Sequence, residues 1–146
     1  MQIETTRFDT VDIRADDILL FPSGVFAFEK MRHWVLLSDS YNASVGWLQS
    51  VSDPSVALPV VSPRRFVKDY QVRVNRSQLS PLELSAPDEA FVLTVVSRHE
   101  GRLTLNLKAP LIINLDRRLG RQVVTNDDQP LQLDLAPAPS TYRRTA

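Results

Sequence analysis

The 146-residue chain has no cysteine, which excludes disulfides, thiolate zinc sites, iron–sulfur ligation and a cysteine nucleophile. Glycine is scarce. Gly24, Gly46, Gly101 and Gly120 are the only four and all are isolated, so no Gly-x-Gly-x-x-Gly or P-loop cradle exists for a nucleotide phosphate. His33 and His99 are the only histidines and stand far apart, which argues against a histidine-rich metal site. An excess charge of one sign is missing too. Lys+Arg 17 balances Asp+Glu 17, whereas a dedicated nucleic-acid binder needs many uncompensated cations. No apolar run approaches the ~20 residues that span a bilayer. Runs 56–61 and 91–96 are broken by Pro59 and Thr94. Residues 1–6 have neither the basic start nor the apolar stretch of a secretion signal, so the expectation is a cytoplasmic protein with no membrane segment.

What remains is material for strands. The length fits one domain, expected over residues 1–135, and residues 136–146, rich in Pro and Ala, read as a flexible tail. Residues 91–97 are β-branched and aromatic. Residues 102–108 alternate, with Leu103, Leu105 and Leu107 on one face and Arg102, Thr104, Asn106 and Lys108 on the other. A short polar loop ending in Gly101 joins them, which predicts a hairpin. Strands are also expected at 11–13, 18–21, 34–37, 45–51, 56–61, 69–74, 111–115 and 121–125, with a further one at 131–135. Asp116 to Gly120 reads as a turn using the conformational freedom of Gly120. Pro59 cannot donate to a ladder and demands an edge or a bulge. Residues 78–84 read as a single helical turn. The fold class is all-β: a small antiparallel, partly open barrel with at most one or two short helical turns.

Catalytic constellations are weak. Ser23 lies in a Pro-Ser-Gly turn with no histidine placed beside it and no Gly-x-Ser-x-Gly elbow. The pairs Asp16-Asp17, Asp88-Glu89 and Asp127-Asp128 sit at expected turns, where aspartate bonds the local backbone, and strand neighbours point to opposite faces. A small barrel enzyme, a hydrolase or isomerase with a pocket at the barrel mouth, is the competing reading; an RNA-binding barrel is a third. The sequence assigns no catalytic residue, cofactor or metal.

Charge is segregated despite its zero sum. Arg64, Arg65, Lys68, Arg73 and Arg76 face Asp69 alone, whereas Asp9, Asp12, Asp16, Asp17 and Glu29 outnumber Arg7, Arg14 and Lys30. Such a bipolar surface suits recognition of protein partners by charge complementarity. Gln49 lies in a strand between Trp47 and Val51, all three on one face by alternation, and an amide beside an aromatic suits an interface. Asn106 projects to the polar face of its strand, where a tie to a neighbouring loop and contact with a partner are both open.

Several motifs occur in order. Phe21-Pro22-x-Gly24 followed by Phe28-Glu29, Trp47-Leu48-Gln49-Ser50, Asp69-Tyr70, Asn106-Leu107-Lys108-Ala109-Pro110-Leu111-Ile112-Ile113-Asn114 and Gly120-Arg121-Gln122-Val123-Val124 together resemble the FliW family of flagellar assembly factors. Thr6-Arg7-Phe8 is a weaker match. The resemblance spans roughly residues 3–126. Ala27 and Asp9 stand where the family carries glycine, which suggests altered turns. The resemblance implies a binding and regulatory module and no enzyme. Its implied partners are flagellin, bound near the C-terminal region, and the translational repressor CsrA, which is kept off flagellin mRNA; direct nucleic-acid binding is not expected. The candidate partner-binding residues are Trp47, Gln49, Asp69, Tyr70, Asn106 and Lys108, joined by the acidic Asp16, Asp17 and Glu29.

Overall fold

A computed structural model describes residues 1–86 and 89–135. The expected tail at 136–146, and Asp88 of one acidic pair, lie outside the described residues. The strands are β1 (Gln2–Thr5), β2 (Asp9–Asp12), β3 (Leu19–Leu20), β4 (His33–Ser38), β5 (Val45–Ser50) and β6 (Ala57–Val61). They continue with β7 (Phe91–His99), β8 (Arg102–Leu105), β9 (Leu111–Asn114), β10 (Leu119–Gln122) and β11 (Leu133–Asp134). A short helix, α1 (Arg76–Leu79), runs into a 3-10 turn at Ser80–Leu82, where the helical turn was expected.

The all-β reading holds. β3, β4, β5, β6, β7, β9 and β10 close a 7-strand ring, antiparallel except where β10 runs parallel to β3. β8 and β11 extend the sheet beyond β7, and β1 pairs with β2 as a separate hairpin. The interior is filled by Phe21, Trp34, Leu48, Val60, Leu111 and Ile113, all buried. Trp34 satisfies its indole N–H on Met31 O at 2.9 Å, and Phe28 meets its ring edge-on at 6.3 Å. Phe28 thus fastens the 22–30 corner to the barrel, while Phe26 is exposed.

The β7–β8 hairpin turns tightly. His99 pairs with Arg102, and both central residues, Glu100 (φ 50°) and Gly101 (φ 77°), take the left-handed backbone that a primed turn requires. Pro59, expected to demand an edge or a bulge, instead ends a ladder. β6 pairs along its whole length with β5, but its ladder to β7 contains only Val60 and Val61 and stops at the proline. The ring closes through this short seam.

Other expectations need correction. The strand predicted at 102–108 ends at Leu105, and its faces are not those of an unbroken strand. Leu103 is 43% exposed, whereas Thr104 is buried. β8 and β9 together line one edge of β7. Between them Asn106 to Pro110 lie opposite only Thr94 and Val95, forming a large bulge that resets the alternation. Residues 69–74 form no ladder. The return strand expected at 121–125 is β10, which starts earlier, so Gly120 is inside a strand and Arg118 (φ 56°) takes the left-handed turn position. Gly120 serves close approach instead: a Cβ there would fall 2.3 Å from the Phe21 ring. Asp9 (φ 56°) and Ala27 (φ 76°) take the left-handed backbone that glycine favours. β1 was not anticipated, because Ile3 is its only large apolar residue.

Candidate protein-interaction site

Three of the motif residues, Tyr70, Asn106 and Gln122, meet at the bulge. Asn106 Oδ1 accepts hydrogen bonds from the N–H groups of Lys108 (3.1 Å) and Ala109 (3.0 Å), a local turn that folds the bulge. The Tyr70 hydroxyl donates to Leu107 O at 2.7 Å, and Gln122 Nε2 donates to Ala109 O at 2.9 Å. Backbone N–H groups of Val123 and Thr125 bond Pro110 O and Lys108 O, and Leu107 N–H bonds Pro130 O. A chain segment that leaves its ladder must find such partners for its polar groups. Gln122 also accepts from Phe26 N–H at 2.8 Å, so one amide ties the bulge to the 22–30 corner. Asn114 does similar work, donating to Leu82 O at 2.9 Å and accepting from Arg117 N–H. Burial pushes the Tyr70 hydroxyl up to about 12, with the Asp127 charge adding to it. The neutral hydroxyl is therefore the donor to Leu107 O at any ordinary pH.

Gln49 is fully buried rather than displayed beside Trp47. Its Nε2 faces four carbonyl oxygens, of Ser50 (3.0 Å), Val56 (3.1 Å), Pro54 (3.3 Å) and Asp53 (3.4 Å), and so closes the β5–β6 turn. Gln49, Tyr70 and Asn106 are thus committed to the fold. The signal for this was the presence of several amides in a chain that turns often: buried amides satisfy irregular backbone.

The other candidates reach the surface, but not as one patch. Trp47 is half-buried. Its N–H donates to Asp39 Oδ1 at 2.9 Å, Arg7 stacks 3.8 Å above its ring, and Phe8 meets it edge-on at 6.4 Å. The tip of the β1–β2 hairpin thus docks on Trp47. The Trp47 bond, followed by the Tyr41 N–H, lowers the Asp39 carboxyl below its ordinary value. Asp69 is exposed, and Lys108 donates its ammonium to Asp127 O. Asp16 and Asp17 lie in a 3-10 turn before β3. With Asp12 they rim an open groove of about 330 Å³ floored by Leu19, Val35 and Leu37, and Arg118 pairs with Asp16 at 3.6 Å. Glu29 is exposed on the 22–30 corner and is not among the residues lining that groove.

A second open groove, about 660 Å³, is mostly apolar, with Val72, Leu79, Leu84, Phe91 and Ile112 in its wall. Among the described residues no group of His, Asp or Glu side chains is arranged to hold a metal ion, and no helix is long and apolar enough to cross a membrane.

The family model for the FliW protein matches residues 2–135. The flagellar assembly factor FliW of Bdellovibrio bacteriovorus is 35% identical over 130 residues, covering 88% of this chain and 74% of that protein. Its counterpart in Moorella thermoacetica is 37% identical over 127 residues, covering 85% and 80%. A crystal structure of the flagellar assembly factor FliW superposes with a TM-score of 0.85 at 25% identity, covering 95% of this chain and 99% of that one. These relatives are assembly factors and not enzymes, which removes the hydrolase or isomerase reading. The family model over residues 2–135, the relatives of 35% and 37% identity and the shared barrel show that the chain belongs to the FliW family.

Proposed function

We propose that this protein is a cytoplasmic flagellar assembly factor that binds the C-terminal region of flagellin and antagonises CsrA, relieving repression of flagellin mRNA. Its relatives carry the name of flagellar assembly factors, which supports the first half of the reading. The observation that carries the second half is the groove before β3. Asp12, Asp16 and Asp17 outnumber Arg118 around an apolar floor. An RNA-binding repressor offers a basic surface, and a carboxylate rim with apolar anchoring fits one. Charge of this kind steers encounter and selects the partner. Held against the repressor, the same carboxylates repel RNA phosphates at short range, over roughly a Debye length of 8 Å in physiological salt.

The test is an RNA displacement titration with purified CsrA. Replacing Asp12, Asp16 and Asp17 together with asparagine is expected to weaken displacement about tenfold, which is about 1.4 kcal/mol. Undiminished displacement refutes the charge mechanism. Mass spectrometry of proteins retained from lysate tests the partners themselves, and recovery of neither flagellin nor CsrA refutes the reading.

A further inference from the structure

Residues 71–75 have the pattern of a strand and, among the described residues, no strand beside them. Gln71, Arg73 and Asn75 are exposed, while Val72 and Val74 are half-buried and pack on the core. This is the period-two burial of an extended chain with one face inside. The backbone is nearly unpaired. Arg73 O accepts from Asn126 N–H at 2.6 Å, but among the described residues the backbone groups of Gln71, Val72 and Val74 make no hydrogen bond. Successive residues of an extended chain aim their N–H and C=O groups at opposite edges. Since Arg73 faces residue 126, Val72 and Val74 present theirs along the other edge.

The setting fits a chain laid alongside. Val72 lines the 660 Å³ groove together with Pro63, Leu79, Leu84 and the half-exposed Phe91. Between residues 64 and 76 there are five cations, Arg64, Arg65, Lys68, Arg73 and Arg76, and one carboxylate, Asp69. Arg73 pairs with Asp127, and among the described residues the other four cations have no carboxylate partner.

We propose that residues 71–75 form an acceptor strand, completed when a partner's extended segment, alternating apolar and acidic side chains, pairs with Val72 and Val74. The backbone groups supply affinity, the groove takes the apolar side chains, and the cations select carboxylates. Charge decides against the other occupants. Residues 136–146 carry Arg143 and Arg144 and no carboxylate, and a second copy of the chain would bring the same cations to the edge. The proposal rests on the reading of the protein as a protein-binding module and says which surface takes an unfolded segment.

The probes are a ten-residue synthetic peptide of alternating valine and glutamate, a control with lysine in place of glutamate, and purified flagellin, each added to the full-length protein. Expected results are at least tenfold tighter binding of the acidic peptide than of the basic one, and at least tenfold slower amide exchange at Val72 and Val74 in its complex. Val72→Pro, which removes a donor from the free edge, is expected to weaken the acidic peptide at least tenfold. In case the proline disturbs folding, Lys68→Glu with Arg76→Glu changes only exposed side chains, and is expected to weaken the acidic peptide tenfold with the melting temperature unchanged. Equal binding of the two peptides, absence of protection at Val72 and Val74, or protection without peptide that vanishes on dilution or on deletion of 136–146 overturns the proposal. Flagellin that binds without slowing those amides also overturns it and leaves the proposed function standing. Flagellin that fails to bind sinks the flagellin reading, and the peptide results then decide the acceptor strand alone.

Discussion

Two irregular stretches flank Tyr70 in space, and they are treated in opposite ways. At the bulge from Asn106 to Pro110, the carbonyls of Leu107, Lys108, Ala109 and Pro110 are all taken up, by Tyr70, Thr125, Gln122 and Val123. Along residues 71–75 a single carbonyl, that of Arg73, is bonded by another described segment's backbone. Both stretches leave the regular ladder. Only the first is surrounded by side chains and turns that replace the lost bonds. A backbone folded for its own sake satisfies its polar groups internally, and one that stays open is left to water or to another chain. The contrast separates what builds this barrel from what it can offer.

Amide exchange in the free protein measures that contrast directly. The amides of Leu107, Val123 and Thr125 are bonded to other segments, and those of Val72 and Val74 are not. The first group is expected to exchange on the order of 1000-fold more slowly than the second. Similar rates would erase the distinction.

Gln122→Leu attacks the anchored side. It orphans the buried Ala109 O and removes the part-buried bond to Phe26 N–H, and is expected to cost about 3 kcal/mol in urea unfolding. Tyr70→Phe removes one bond, to Leu107 O, and is expected to cost about 1.5 kcal/mol. It should also change the pH profile. The folded protein holds the Tyr70 proton up to about 12, against 10.0 for a free tyrosine. Stability from this group is therefore fully present below pH 10 and falls as pH rises from 10 to about 12. Tyr70→Phe should flatten that part of the curve, which thermal melts in that range would measure. Ala27→Gly acts at the corner that Gln122 holds. Residue 27 sits at φ 76°, so glycine relieves the strain and is expected to stabilise by about 1 kcal/mol.

Much of the barrel was legible, because hydrophobic alternation and turn chemistry are local. The β7–β8 hairpin follows from its β-branched and alternating runs around Gly101, and the helical turn expected at 78–84 is met by Arg76–Leu79 running into Ser80–Leu82; Pro59, expected to demand an edge or a bulge, instead ends the ladder between β6 and β7. The surroundings of Asn106 and Gln49 were not legible. Alternation assumes an unbroken strand, and the bulge after Leu105 resets the phase at Asn106; Gln49 keeps its place in the β5 register with Trp47 but is covered by the carbonyls of the turn that follows, which alternation cannot foresee. Gly120 read as a turn because its true constraint, the Phe21 ring, is distant in sequence. The acidic residues were legible as a group but not as a site. Folding brings Asp12, Asp16 and Asp17 to one groove and leaves Glu29 on another corner. The strand expected at 69–74 has a strand's alternation over 71–75 but no neighbour, and sequence pattern cannot count neighbours.

The smallest expected effect lies on that open stretch. Gln71 is exposed, and its side chain accepts from the Arg73 guanidinium at 3.0 Å. Among the described residues its backbone N–H and C=O make no bond for a substitution to disturb. Gln71→Ala should therefore leave the urea midpoint of the free protein unchanged, within about 0.5 kcal/mol. A loss above 1 kcal/mol, comparable to that of Tyr70→Phe, would mean that residues 71–75 are held as firmly as the bulge, and the difference between the two stretches would then be one of appearance and not of energy.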